Sequence, residues 1–396
     1  MLANRNKQIK PSPTLAFNAK AKEMKASGID VISFAVGEPD YDTPNHIKEA
    51  AIKAINEGFT KYTPAAGIVE LKDAIIGKFK RDNNLTYDRS QIVVSCGAKH
   101  SLYNIAQAIF GPGDEVIIPA PYWVSYPDQV LLNDATPVIL PTAPEDNFLI
   151  RPEALEKLIS KKTKAIILNY PSNPTGLTYD KPALERIAEI AVKHGVYIVS
   201  DEVYEKLVFD GVKHFSIASI SEEVKRLTLV VNGPSKTYSM TGWRIGYAAG
   251  DVTIMKAMAN IQSQSTSNPT SISQKAAVEA INGPQGFIDE MVVEFDRRRR
   301  FLVKELNSID GMTCLKPQGA FYAFPDIKRF IGKSAGDKVI KDSSDLCDYL
   351  LDVGRVALVP GSAFGTEGFI RMSYATSMEK IEEGMRRIKS ALKELK

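Results

Sequence analysis

The chain is poor in the residues that build metal centres and disulfides. Among 396 residues there are three cysteines, Cys96, Cys314 and Cys347, and four scattered histidines. None of the cysteines has the paired spacing of a disulfide framework or a zinc site, which points to a reducing cytoplasm and to no metal. Long apolar runs are absent as well. No segment approaches the ~20 residues of a membrane helix, and the polar first residues lack the apolar stretch of a signal peptide, so no membrane partner is expected. Charge of one sign is not in excess: 50 Lys+Arg against 47 Asp+Glu leaves +3. That gives no electrostatic case for nucleic acid. The arginines at 297–300 fall in a helical stretch, where successive residues point around the axis, and read as a solvated face. No repeat, low-complexity tract or long linker stands out.

What is present is an ordinary globular composition, long enough for about two domains. Short apolar segments at 91–95, 115–119, 165–169, 197–201, 227–232 and 245–249 read as strands. Helical stretches at 44–58, 68–83, 100–110 and 181–194 lie among them. That alternation predicts an α/β fold, a mostly parallel sheet flanked by helices in a large domain. From residue 286 the pattern changes to a long helix (286–307), short strands at 320–324, 356–359 and 369–372, and a closing helix at 378–395. The boundaries read from this are 45–285 for the large domain, with 1–44 and 286–396 together forming a smaller α+β domain.

The most informative stretch runs from Ser235 through Lys236 to Arg244 and Tyr247. A lysine follows a buried-strand candidate, small residues surround it, and an arginine stands eight positions on. A lysine that forms a Schiff base with a phosphorylated aldehyde needs this layout: an amine for the aldehyde carbon and a fixed cation for the phosphate. Pyridoxal phosphate (PLP) is such an aldehyde. A Walker A reading of the same stretch fails, since the glycine before the lysine and the upstream glycine spacing are missing. Two further segments supply parts of the same chemistry. Asn173 stands in a Pro/Gly turn after the apolar run 165–168, where its amide can donate to a phenolate oxygen. Asp201 ends the apolar run 197–200. In open α/β sheets ligands bind beyond the carboxyl ends of strands, where this carboxylate can keep a pyridine nitrogen protonated. Tyr204 can donate to the same phenolate as Asn173. Alone, each residue is a turn former, a cap or a packed aromatic; in this order they make coincidence improbable.

Over nearly its whole length, from about Pro11, the chain resembles the class I PLP-dependent aminotransferases of fold type I. Its closest look is to the bacterial aspartate aminotransferase subgroup, which includes aspartate/prephenate enzymes. The resemblance implies that Lys236 is the Schiff-base lysine, Asp201 the pyridinium partner, and Ser235 and Arg244 phosphate ligands. Gly97, Ala98 and Lys99 stand in the turn that leads into the predicted helix 100–110, whose free amides and dipole suit a phosphate. The family has glutamine where His100 stands here and a small residue at Cys96; neither change removes a backbone donor. Trp123 matches the aromatic that stacks on the pyridine ring. Tyr62 matches a tyrosine that reaches the neighbouring subunit's phosphate, which implies a homodimer with shared active sites.

Substrate recognition is expected from two cations. Arg371 lies within an apolar strand, where a charge is costly unless paired, and the resemblance gives it the substrate α-carboxylate, with Gly37 offering a backbone amide. No arginine stands near 263–268 to hold a distal carboxylate as in the enteric subgroup. Lys99 occupies the position of the lysine that does so in the subgroup resembled, and Ser12 and Thr14 match the N-terminal segment that closes over the substrate. The expected reaction moves the amino group of L-aspartate to 2-oxoglutarate, with prephenate, which would give arogenate, as a further substrate. Alternatives are an aromatic or alanine aminotransferase or a carbon–sulfur lyase of the same fold. A PLP-binding transcription regulator would need a DNA-binding domain, and only some thirty residues precede the body of the fold.

Overall fold

The computed structural model describes residues 7–9, 13–336 and 338–396. At its centre is a seven-stranded sheet made of β1 (Ile92–Ser95), β2 (Glu115–Ala120), β3 (Thr136–Pro141), β4 (Thr163–Asn169), β5 (Tyr197–Asp201), β6 (Thr228–Asn232) and β7 (Gly246–Ala249). The spatial order is β1-β7-β6-β5-β4-β2-β3. Pairings are parallel except those of β7, which runs antiparallel to both neighbours. The sequence reading found every strand but β3. That strand has Pro137 within it and Pro141 at its end, and Thr136, Ile139 and Pro141 are exposed. Proline is tolerated there because β3 is an edge strand.

The inner strands are mostly apolar because both of their faces are covered. Ala165, Ile167, Val199 and Val231 pack on one side, while Ile166, Leu168 and Ile198 pack on the other. Helices Asn45–Asn56, Val69–Asn83 and Lys181–His194 fall within two residues of their predicted bounds. The helix expected at 100–110 instead begins at Ala98, with Gly97 at φ 92° as its N-cap. Among the described residues no helix is long and apolar enough to cross a membrane.

The later part of the chain is α+β, as its pattern suggested. Strands Tyr322–Ala323, Val359–Pro360 and Ile370–Ser373 form an antiparallel sheet. The helices Gly286–Asn307 and Met378–Lys393 pack on each other. The segment Ile32–Ser33 pairs in parallel with Val356–Ala357 and so ties the early residues to the late ones. The core of this part also takes Val203, Tyr204, Leu207 and Phe209 from the segment after β5.

The arginines at 297–300 correct the sequence reading. Arg297 and Arg300 point outward, but Arg298 and Arg299 are buried. Arg298 pairs with Asp40 and Glu294, and Arg299 with Asp210 and Asp296. Successive helical residues are about 100° apart, so a run of four sends some inward, and here acids meet them.

A second buried ion pair joins Lys78 of the helix Val69–Asn83 to Glu205, which also accepts from Asn83 Nδ2 at 2.9 Å. Burial alone would raise the Glu205 pKa; the Lys78 ammonium overrides it and, with His214 and Asn83, holds it at about 2. A carboxylate depressed in the folded state stabilises the fold above its unfolded pKa and loses that contribution as pH falls through the folded value. Stability should therefore drop between about pH 4.5 and about pH 2. Lys78→Met should cost about 3–5 kcal/mol at neutral pH, because the carboxylate is left buried and unpaired. It should also flatten the acid-side slope. Urea unfolding at fixed protein concentration across pH checks both.

Candidate active site

The carboxyl ends of β4, β5 and β6 set the site. Asn169 and Asp201 are register partners at the last positions of β4 and β5. β6 ends at Asn232, and the one-turn helix Pro234–Thr237 follows at once, carrying Lys236. These ends face a cavity of about 280 Å³. It gathers Lys236, Asp201, Asn173, Trp123, Arg244 and Arg371, and Gly37, Ala98, Lys99, Tyr204 and Ser235 line it too.

Three charged groups in the cavity lack the partners that burial normally demands. Arg371 is 2% exposed. Its guanidinium donates to the Ala35 carbonyl at 2.7 Å and to Asn173 Oδ1 at 3.0 Å, while Nε has no partner. Among the described residues no carboxylate pairs with it; the rings of Tyr322 and Phe364 lie against it at 4.7 and 5.0 Å. Asp201 is 4% exposed and accepts from the Tyr126 hydroxyl at 2.7 Å and the Val203 amide at 3.3 Å. Burial raises its pKa to about 6 against those two hydrogen bonds. Lys236 Nζ donates to the Gly37 carbonyl at 2.6 Å. Burial lowers its pKa to about 8, with the Glu38 charge opposing. The neutral fraction of such an amine at pH 7 is roughly 300-fold above that of an unperturbed lysine.

Next to Lys236 the backbone forms a cradle. The first-turn amides of Ala98 and Lys99 have no intrahelical acceptor. The Arg244 guanidinium reaches across, donating to the carbonyls of Thr241 at 2.8 Å and Cys96 at 3.2 Å. His100 Nδ1 accepts from the Cys96 amide at 3.3 Å, so the residue that departs from the family pattern caps this turn. Space is tight: a Cβ on Gly97 would lie 2.3 Å from the Arg244 guanidinium, and one on Gly246 2.1 Å from the Ala98 amide nitrogen.

Comparison with known proteins matches this arrangement to one family. The profile "Aminotransferase class I and II" fits residues 29–388. The chain belongs to that family. It is 53% identical over 388 residues to the aspartate aminotransferase of Bacillus sp. (strain YM-2), covering 98% of each chain. It is 54% identical over 385 residues to a probable aspartate/prephenate aminotransferase of Rickettsia bellii (strain RML369-C), covering 97% of this chain and 96% of the other. The crystal structure of the aspartate aminotransferase from Rhizobium meliloti superposes with a TM-score of 0.97 at 45% identity, over 100% of both chains. The protein is therefore a PLP-dependent aminotransferase acting on amino acids and 2-oxo acids.

The residues of this aminotransferase fit that cofactor. A dianionic phosphate matches a cradle of free amides and one guanidinium, whose glycines exclude a Cβ. A pyridinium nitrogen is the cation that the buried, unpaired Asp201 carboxylate lacks. An aldehyde meets a lysine already shifted toward its neutral form.

Not every predicted residue enters the cavity. Tyr62 is 91% exposed, on a surface groove with Thr266 and Asn268. Ser12 lies outside the described residues. Thr14 falls in the helix Pro13–Ala26, its side chain likewise outside the description. Lys99 remains exposed as a residue, yet its ammonium lies 4.8 Å over the Trp123 ring. Burial of that end and the Arg244 charge together lower its pKa. Tyr126 and Tyr322 are among the cavity residues that escaped sequence reasoning. Tyr126 follows Trp123 by three positions, one helical turn, and that spacing was the available clue.

Behind Asp201, ligand atoms of Glu202, Glu205 and His214 lie within 4.8 Å of one another. Glu202 already accepts from Ser200 and Ser216 and meets His214 at 2.9 Å. Glu205 holds Lys78. A cation there would have to displace the ammonium.

Gly97→Ala tests the cradle. The new methyl would push Arg244 aside at a backbone angle L-residues avoid, a strain of about 1–3 kcal/mol. PLP affinity of the apoprotein, titrated by absorbance, should fall at least about ten-fold.

Proposed function

We propose that this aminotransferase takes the amino group of L-aspartate and gives it to 2-oxoglutarate, forming oxaloacetate and L-glutamate, and that prephenate is a further amino-group acceptor. The observation that carries this reading is that Arg371 and Lys99, two cations without acid partners among the described residues, line the same cavity. Arg371 suits the α-carboxylate through a bidentate guanidinium, and Lys99 suits a second carboxylate. Aspartate and prephenate each carry two, and the relatives named above bear those names.

When bound, PLP supplies an aldehyde for the amino group and a pyridinium ring that accepts the electron pair released at the substrate Cα. The residues do the rest. Lys236 would hold the aldehyde carbon, and its Nζ, when free, would take the proton from the substrate Cα. Asp201 keeps the ring nitrogen protonated. Asn173 and Tyr204 donate to the phenolic oxygen, and Trp123 supports the ring face. Arg244, Ser235 and the amides of Ala98 and Lys99, turned by Gly97, bind the phosphate. Arg371 and the Gly37 amide fix the α-carboxylate, while Lys99, with Thr14 and Ser12 in the closing segment, reads the distal one.

The same reading includes a cytoplasmic homodimer in which Tyr62 completes the partner's phosphate site. In support, Tyr62 is fully displayed, and Ile52 and Ile55 on the helix Asn45–Asn56 are half exposed. It also divides the chain into a large domain at 45–285 and a small one from 1–44 with 286–396, consistent with the pairing of Ile32–Ser33 on Val356–Ala357.

L-Aspartate added alone to the PLP-loaded protein should abolish the cofactor's visible absorption and release one oxaloacetate per site. Response to alanine or tyrosine but not to aspartate would refute the substrate. Lys99→Gln should raise the KM for aspartate about ten- to hundred-fold, the value of one charge-assisted hydrogen bond. It should leave alanine kinetics nearly unchanged. Lys236→Ala should neither turn over nor retain PLP covalently.

A further inference from the structure

Tyr322 has no role in the account above, yet it touches three of its parts. It is 1% exposed on the strand Tyr322–Ala323. Its hydroxyl oxygen lies 2.8 Å from that of Tyr204. Its ring face carries the Arg371 guanidinium at 4.7 Å. A Cβ on Gly37 would stand 2.7 Å from its hydroxyl, so the glycine leaves room for this phenol.

We propose that Tyr322 is a positioning residue whose hydroxyl donates to the Tyr204 oxygen, leaving the Tyr204 proton for the cavity. The proposal rests on the reading that Tyr204 faces the cofactor's phenolic oxygen. Among the described residues the two hydroxyls have only each other as hydrogen-bond partners. One proton fills the bridge and the other is left over, so the direction of the bridge decides which tyrosine can donate to a ligand. Arg371 settles the direction. The charged groups that reach the pair are Arg371, Glu38 beside Tyr322 and Asp201 beside Tyr204. Burial raises both phenols and Arg371 opposes it in both, but the guanidinium lies on the Tyr322 ring face at 4.7 Å, and Tyr322 is raised less than Tyr204. Tyr322 is thus the more acidic phenol and the stronger donor. A chain of two donors polarises along its length and strengthens the outer bond by about 10–30%. The hydroxyl and the ring have separable tasks: the first orients Tyr204, the second supports Arg371.

The test is the pH titration of the visible absorbance of the PLP-loaded protein. A donor to the phenolic oxygen stabilises its anion and lowers the midpoint. Tyr204→Phe should raise the midpoint by about one unit. Tyr322→Phe should raise it by about 0.3–0.5 unit, a two- to three-fold change in proton affinity. In the Tyr204→Phe background, Tyr322→Phe should add nothing. Tyr322→Phe should lower kcat several-fold with the aspartate KM unchanged, whereas Tyr322→Leu, which removes the ring, should raise that KM. Thermal melts of each variant confirm folding. A wild-type midpoint in Tyr322→Phe, or an equal shift in both backgrounds, would overturn the proposal. An unmoved Tyr204→Phe would overturn the underlying role of Tyr204 and the proposal with it.

Discussion

A guanidinium almost wholly removed from water, with no acid to meet it, is the constraint around which the rest of this structure is arranged. Desolvating Arg371 costs several kcal/mol that neutral partners recover only in part. The fold supplies a carbonyl from Ala35, an amide oxygen from Asn173 and two aromatic faces, and still leaves Nε unsatisfied. Those partners come from four distant segments of the chain. Arg371 itself is fixed by pairing of its strand with Val359–Pro360 and Tyr322–Ala323. On the proposed reading, a substrate carboxylate would complete this unmet charge.

Topology brings the opposite charge alongside. The register that sets Asn169 beside Asp201 places an amide and a carboxylate at the same height on adjacent strand ends. Asp201 in turn aligns with Val231, so that Lys236 comes one turn beyond the next strand. The segment after β5 then leaves the sheet and buries Tyr204, Leu207 and Phe209 in the core built by the later part of the chain. Tyr204 therefore faces the cavity from the seam between the two cores, where Tyr322 meets it.

The strands, the long helices and the lysine, aspartate, asparagine and arginines of the site were legible because each depends on local order: an apolar run, then a turn, then one polar residue. β3 was not, because its apolar run, Val138 to Leu140, is short and bracketed by Pro137 and Pro141. The inward pair Arg298 and Arg299 was hidden for another reason. Which arginines of a helical run face inward depends on where Asp40 and Asp210 arrive, and both come from far along the chain. Tyr126 and Tyr322 matter through the atoms they touch, Asp201 and Tyr204; one helical turn from Trp123 pointed to the first, and nothing in the spacing marks the second.

Burial alone did not separate functional charges from structural ones; pairing did. Arg299 is more deeply buried than Arg371, yet two aspartates meet it and its work ends in holding a helix. Glu205 and Asp201 stand four residues apart, both desolvated, and move in opposite directions. Glu205, gripped by Lys78, falls to about 2, while Asp201, offered only a phenol and an amide, rises to about 6. The two lysines differ in partner in the same way: Lys78 meets a carboxylate and Lys236 a carbonyl. A buried charge whose partner is in the chain is finished with folding. One whose partner is missing is open to a ligand, and in this protein Arg371, Asp201 and Lys236 line the same cavity.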